Sequence, residues 1–159
     1  MTTYEVNSIG VICNDEAGTF IKLDAEFVPA LEALDGFSHI TVLWWASDFD
    51  NEQFKSVLDT EQPYKKAPEK MGIFATRSPI RPNPIALTTV EVIHIDYQNG
   101  VIQIAYIDGN DNTPVLDIKP YTPSFDRVEE PAVPAWCSHW PMSLEQSGSF
   151  AWENEFTWS

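Results

Sequence analysis

Two arginines, four residues apart in a run of prolines, carry the most pointed chemistry in this chain. The segment GIFATRSPIRPNPIAL, residues 72–87, sets Arg77 and Arg81 among Pro79, Pro82 and Pro84. Proline fixes φ and has no N–H to give. Ser78, Arg81 and Asn83 each precede a proline and are driven toward extended backbone. The spacing therefore predicts a stiff, extended, non-helical loop whose side chains are arranged before any ligand arrives. Pre-organisation of that kind lowers the entropy cost of binding. Each guanidinium offers a planar fork to a carboxylate or phosphate. The prolines also leave backbone carbonyls without matching donors, open to an exocyclic amine or a hydroxyl. A rigid corner between strands would need neither the arginines nor Asn83.

A second constellation lies in DNTPVLDIKPYTP, residues 111–123. Asp117, Lys119 and Tyr121 are two apart, so in an extended segment they share a face. An acid, a base and a phenol on one side read as a polar site wall.

Other chemistries are excluded. No two of the seven glycines are separated by a single residue, so neither a dinucleotide fingerprint nor a phosphate-cradling P-loop is present. DGNDNT at 108–113 has Thr113 and Lys119 where a calcium loop needs Gly and Glu. Cys137 and His139 have no second pair of ligands, so no metal site is expected. Cys13 and Cys137 do not make a disulfide framework.

Length and charge bound the rest. The chain has 159 residues, 43% of them hydrophobic, and a net charge of −15. One globular domain with its own core is the default at this size. No apolar run is long enough to cross a bilayer as a helix, and no secretory leader is recognisable, so a cytoplasmic location is expected. The acidity opposes nucleic-acid binding overall. Residues 65–81 are the exception, with Lys65, Lys66, Lys70, Arg77 and Arg81 against the lone acid Glu69. That basic island in an acidic body predicts a local anion site.

The elements that must position these groups are mainly strands. Runs at 4–13, 19–23, 38–46, 72–76, 87–97, 101–107 and 115–118 alternate or are β-branched and end at Gly, Asn, Asp or Pro. Asn99-Gly100 between two of them signals a hairpin. Short helices are expected at 29–34 and 50–58. The expected fold is mainly β, a small β-barrel with a few short helices and a C-terminal Trp-rich extension. Residues 1–127 form the barrel domain in this reading. Residues 128–159 hold no Lys or Arg and four of the six tryptophans, and are expected to pack on the barrel or on a second subunit.

The blocks LDGFSHI at 34–40, GIFATRSP at 72–79, RPNPI at 81–85 and TPVLDIKPY at 113–121 resemble the TrmO family, also called TsaA-like, of S-adenosylmethionine-dependent tRNA methyltransferases. The resemblance spans about residues 4–123. It implies a small dimeric β-barrel unrelated to Rossmann methyltransferases. It also implies N6-methylation of threonylcarbamoyladenosine at position 37 of tRNA. By motif, Arg77 and the turn Asp111, Asn112, Thr113 and Pro114 would hold S-adenosylmethionine. Ser47 and Asp48 would line the same pocket, with Leu87 packed beside it. Lys65, Lys66, Arg81 and Asn83 would meet the tRNA. Asp117 or Tyr121 would take the acceptor proton, with Lys119 adjusting the local field. Methyl transfer to a small molecule or protein, or cofactor binding without catalysis, stays open on sequence alone.

Overall fold

The computed structural model describes residues 1–158. Eight strands form: β1 (Gly10–Asp15), β2 (Gly18–Leu23), β3 (His39–Trp45), β4 (Asp59–Glu61), β5 (Lys70–Gly72), β6 (Ile85–Asp96), β7 (Val101–Ile104) and β8 (Pro114–Pro120). Six close into an antiparallel barrel in the order β1-β2-β7-β6-β3-β8, and β4 and β5 pair apart as a two-stranded sheet. Closure leaves no barrel edge unpaired, so the fold depends on side chains alternating in and out. The inward set includes Ile12, Ile21, Ile40, Val42, Ile102, Ile104 and Val115, all almost fully buried.

Turn chemistry sets the register. Gly100 has φ of 65° in the β6–β7 turn, and a Cβ there would meet the Val28 side chain. Glycine adopts that backbone freely. The ladders shift register at Leu43/Trp44 and at Val92/His94. Such bulges bend a strand and raise its twist, which helps a short sheet close on itself.

Three expectations change. Residues 4–9 are not strand, because β1 begins at Gly10 opposite Leu23 at the end of β2. The 72–76 run is a 3-10 turn over Ile73–Ala75, closed where Thr76 N–H and Oγ1 both donate to the Ile73 carbonyl. The first helix is a 3-10 segment at Ala25–Leu31, and the second is one turn at Glu52–Lys55, capped by Asn51. No helix among the described residues is long and apolar enough to cross a membrane.

The tail folds back on residues 62–67 of its own chain. Lys65 N–H donates to the Glu155 carbonyl at 2.9 Å. The Thr157 hydroxyl donates to the Gln62 carbonyl at 2.9 Å. Tyr64 is enclosed by rings from the tail, with centroids 5.6 Å from Trp136, 4.9 Å from Trp140 and 5.5 Å from Phe156. Burial among them raises the Tyr64 phenol above its usual pKa, while the nearby Arg77 charge pulls the other way.

Candidate active site

A cavity of about 960 Å³ opens where β3 ends and β6 begins. Four chain segments before residue 114 converge on it, with Leu144 joining them from the C-terminal extension. The exit of β3 brings Ala46, Ser47, Asp48 and Phe49. The proline-rich bend brings Arg77, Pro79 and Arg81. The start of β6 brings Ile85, Leu87 and Thr89. The β7–β8 connection brings Asp108, Asn110 and Thr113.

The bend is held by its own arginines. Arg77 donates a 2.6 Å hydrogen bond from its guanidinium to the Leu87 carbonyl on β6. Arg81 donates to the carbonyls of Thr76 at 3.2 Å and Ser78 at 3.0 Å. These backbone acceptors, expected to be open to a ligand, are taken by the protein. Among the described residues, neither guanidinium forms a salt bridge with a carboxylate. In a chain of net charge −15 this leaves two fixed cations at the cavity wall, able to face an anion.

The same wall also carries two carboxylates, Asp48 and Asp108, and the Asn110 amide. Asn110 Nδ2 donates to Asp48 Oδ2 at 2.6 Å, tying the 108–113 turn to the β3 exit. Trp44 Nε1 donates to Thr88 Oγ1 at 3.0 Å, and both residues belong to the cavity wall. Outside it, Trp45 Nε1 and Lys55 both bond Asp50, at 3.0 Å each, and hold that carboxyl below its usual pKa.

The residues singled out in the sequence do not all meet here. Ser47, Asp48, Arg77, Arg81, Leu87 and Thr113 line the cavity. Asp111, Asn112 and Pro114 flank it, serving the turn instead. Asp111 Oδ1 accepts from Asn14 N–H at 2.9 Å, and its Oδ2 from Asn112 Nδ2 at 3.0 Å. Asn112 itself supplies the left-handed corner at φ 64°. Asn83, Lys65 and Lys66 are exposed and are not part of the cavity wall. Asp117, Lys119 and Tyr121 lie elsewhere. Lys119 pairs with Asp117 at 3.0 Å, opposite Thr41 and Leu43 of β3. Asp117 belongs to a second cavity of about 320 Å³ that shares no wall residue with the first. Tyr121 sits edge-on to His39 at 6.4 Å.

Sequence reasoning missed Asp108, Asn110, Ile85, Thr89 and Leu144, all in the wall. Asp108 and Asn110 were legible as polar turn residues, the composition of any hairpin connection. Leu144, in the Trp-rich C-terminal extension with no local motif around it, carried no signal.

The sequence model of the tRNA-methyltransferase O N-terminal domain matches residues 9–127. The chain belongs to this family. A probable S-adenosyl-L-methionine-binding protein of Pyrococcus abyssi is 39% identical over 112 residues, covering 70% of this chain and 56% of that one. A tRNA (adenine(37)-N6)-methyltransferase of Eikenella corrodens is 43% identical over 89 residues, covering 55% of this chain and 48% of its own. The crystal structure of TrmO from Pseudomonas aeruginosa superposes with a TM-score of 0.61 at 29% identity, over 82% of this chain and 62% of that one. The chain thus spans about half to three fifths of these TrmO-family relatives. Within the family's matched segment lie both arginines and the 108–113 turn, whereas Leu144 lies beyond it.

Proposed function

We propose that this protein is an S-adenosylmethionine-dependent methyltransferase acting on tRNA, at N6 of threonylcarbamoyladenosine in position 37. The observation that carries the reading is that Arg77 and Arg81, which have no carboxylate partner among the described residues, line one cavity with Asp48, Asp108 and Asn110. That donor set fits the methyl donor, which has a carboxylate, an ammonium, a ribose diol and an adenine edge. Arg77 binds the carboxylate. Asp48 and Asp108 receive the ammonium and the ribose hydroxyls, while Ser47, Thr113 and Leu87 shape the pocket. When bound, S-adenosylmethionine supplies a methyl group on a sulfonium.

The chain's own part is chiefly alignment, since an in-line displacement gains most from holding the two reactants in register. The acceptor nitrogen must also release a proton. Asp48 and Asp108 are the two carboxylates of the cavity wall, and the one that does not pair with the ammonium would take that proton. Lys65, Lys66 and Arg81 meet phosphates. Lys70 of the same island is taken by Asp59 at 2.9 Å. With three single-strand phosphate contacts, tRNA affinity falls roughly 20-fold as salt rises from about 50 to about 200 mM. The protein works as a cytoplasmic homodimer in this reading.

The test is nucleoside mass spectrometry of tRNA incubated with the protein and the methyl donor. A 14-dalton gain on threonylcarbamoyladenosine, the mass of one CH₂, supports the reading, and its absence overturns it. The net charge of −15 favours one other reading, the same chemistry on a small molecule or protein. Methyl transfer to an RNA-free extract would select it.

A further inference from the structure

A short hydrogen bond crosses from the β3 exit to the β7–β8 connection and joins two wall residues of the large cavity. Asn110 Nδ2 donates to Asp48 Oδ2 at 2.6 Å, across 62 positions of sequence. Among the described residues Asn110 is the one hydrogen-bond partner of the Asp48 side chain, so Oδ1 keeps its lone pairs for a ligand. Asp108, the other carboxylate of the wall, is held less firmly, by the Tyr106 hydroxyl at 3.5 Å. Asp48 and Asn110 are both exposed. Burial does not fix the Asp48 carboxylate, which leaves that task to the amide.

The amide can perform it because its own turn is rigid. Asn14 of β1 brackets Asn110 on both sides. Its Nδ2 donates to the Gly109 carbonyl at 3.1 Å, and its N–H donates to Asp111 Oδ1 at 2.9 Å. Backbone bonds add to this. Asn112 N–H donates to the Ile12 carbonyl at 2.8 Å, Ile12 N–H to the Thr113 carbonyl at 2.9 Å, and Thr113 N–H to the Asn110 carbonyl at 3.2 Å. Gly109 is buried, and a Cβ there would stand 2.5 Å from Ile12 Cδ1 and 3.7 Å from ring carbons of Trp44. The missing side chain lets the turn sit directly on β1 and on Trp44 of β3. The β3 exit has its own anchor, where Ala46 N–H donates to the Pro84 carbonyl at 2.8 Å. Each end of the Asn110–Asp48 bond therefore stands on a fixed support.

We infer that Asn110 is a positioning residue for the methyl donor, holding the Asp48 carboxylate so that the donor meets an acceptor already in place. The inference rests on the methyltransferase reading given above, in which Asp48 receives the ammonium or a ribose hydroxyl. A side chain already ordered has less freedom to lose on binding. The amide is also neutral, so it orients the carboxylate without offsetting its charge. Lys119, by contrast, stands 3.0 Å from Asp117 and offsets the charge of that carboxylate.

The experiment is calorimetry with S-adenosylhomocysteine on wild type, Asn110→Ala, Asp48→Ala and the double variant, with thermal melts and steady-state kinetics beside it. Asn110→Ala is expected to weaken binding about 5-fold, within the roughly 2- to 12-fold that ordering one loose side chain costs. Asp48→Ala is expected to weaken it about 10-fold or more, since a charged acceptor is lost. The double variant should match Asp48→Ala within about twofold, because Asn110 acts through Asp48. Both positions are exposed, so the four proteins should melt within about 4 °C of one another. In Asn110→Ala, KM for the methyl donor rises while kcat at saturating donor stays near wild type. Wild-type affinity in either single variant overturns the inference. So does an Asn110→Ala loss that recurs in the Asp48→Ala background, which would put Asn110 itself on the ligand. A fall in kcat with affinity intact also overturns it, by giving Asp48 to the acceptor proton. A wild-type protein that binds S-adenosylhomocysteine but methylates no tRNA overturns the tRNA reading and leaves the binding measurements to decide this inference. One with no affinity for S-adenosylhomocysteine overturns both.

Discussion

Arg77→Ala separates ligand binding from fold stability more cleanly than any other change in the cavity. The guanidinium makes one protein contact, the 2.6 Å bond to the Leu87 carbonyl, and no salt bridge among the described residues. Leu87 is 47% exposed, so water replaces the lost donor at its carbonyl. Removing the side chain should then cost about 1 kcal/mol of stability, a fall in Tm of roughly 2–4 °C for a domain of this size. Binding should suffer more. A hydrogen bond between charged partners contributes about 1.5–3 kcal/mol, and each 1.4 kcal/mol or so is a factor of ten in affinity. Affinity for S-adenosylhomocysteine should therefore drop about 10- to 150-fold. Calorimetry gives the affinity and a thermal melt gives the stability. Arg77→Lys keeps the charge without the fork and should fall between the two. Wild-type affinity in Arg77→Ala would refute the assignment, whatever happens to the melt.

Further outcomes follow from the barrel and the tail. In Gly10→Ala the new Cβ would collide with the Lys22 carbonyl oxygen and sit 2.8 Å from the Leu23 Cα, both backbone atoms of the paired strand. Overpacking of that kind should cost about 3 kcal/mol, read by urea unfolding. Glu155 is held below its usual value of 4.5 by hydrogen bonds from Trp140 and His139. Its stabilising contribution is therefore fully present above about that value and is lost as pH falls through the lower folded value. Glu155→Gln should melt lower at pH 7 and lose less on acidification, which tryptophan fluorescence melts between pH 7 and pH 3 will report.

The barrel was legible because its strands advertise themselves. Residues 87–97 alternate in composition and appear as β6, and Asn99-Gly100 makes the turn expected of it. GIFAT at 72–76 misleads for a physical reason. Its apolar run suits a strand, but the β4–β5 ladder ends at Gly72, and Thr76 then closes a 3-10 turn on Ile73 by local hydrogen bonds. The arginine bend was legible because proline restricts the chain and two cations stand out in an acidic sequence. Asp117, Lys119 and Tyr121 lie outside the wall of the first cavity, since alternation shows which residues share a face without showing what lies in front of it. Asp111 and Asn112 serve the turn's own hydrogen bonds and its positive φ, for which a turn needs the same residue types that a ligand would. Leu144 was invisible, since its place depends on a ring cluster assembled from residues some ninety positions apart, as in the Thr157–Gln62 contact.

The clasp between the chain's last residues and the segment around Tyr64 has an evolutionary corollary. A rim element that is built outside the barrel and anchored by its own stack of rings can change sequence without disturbing the strands or the arginine bend. Pruning the chain at residue 127 would remove three of the rings around Tyr64 and leave the segment between β4 and β5 without that cover.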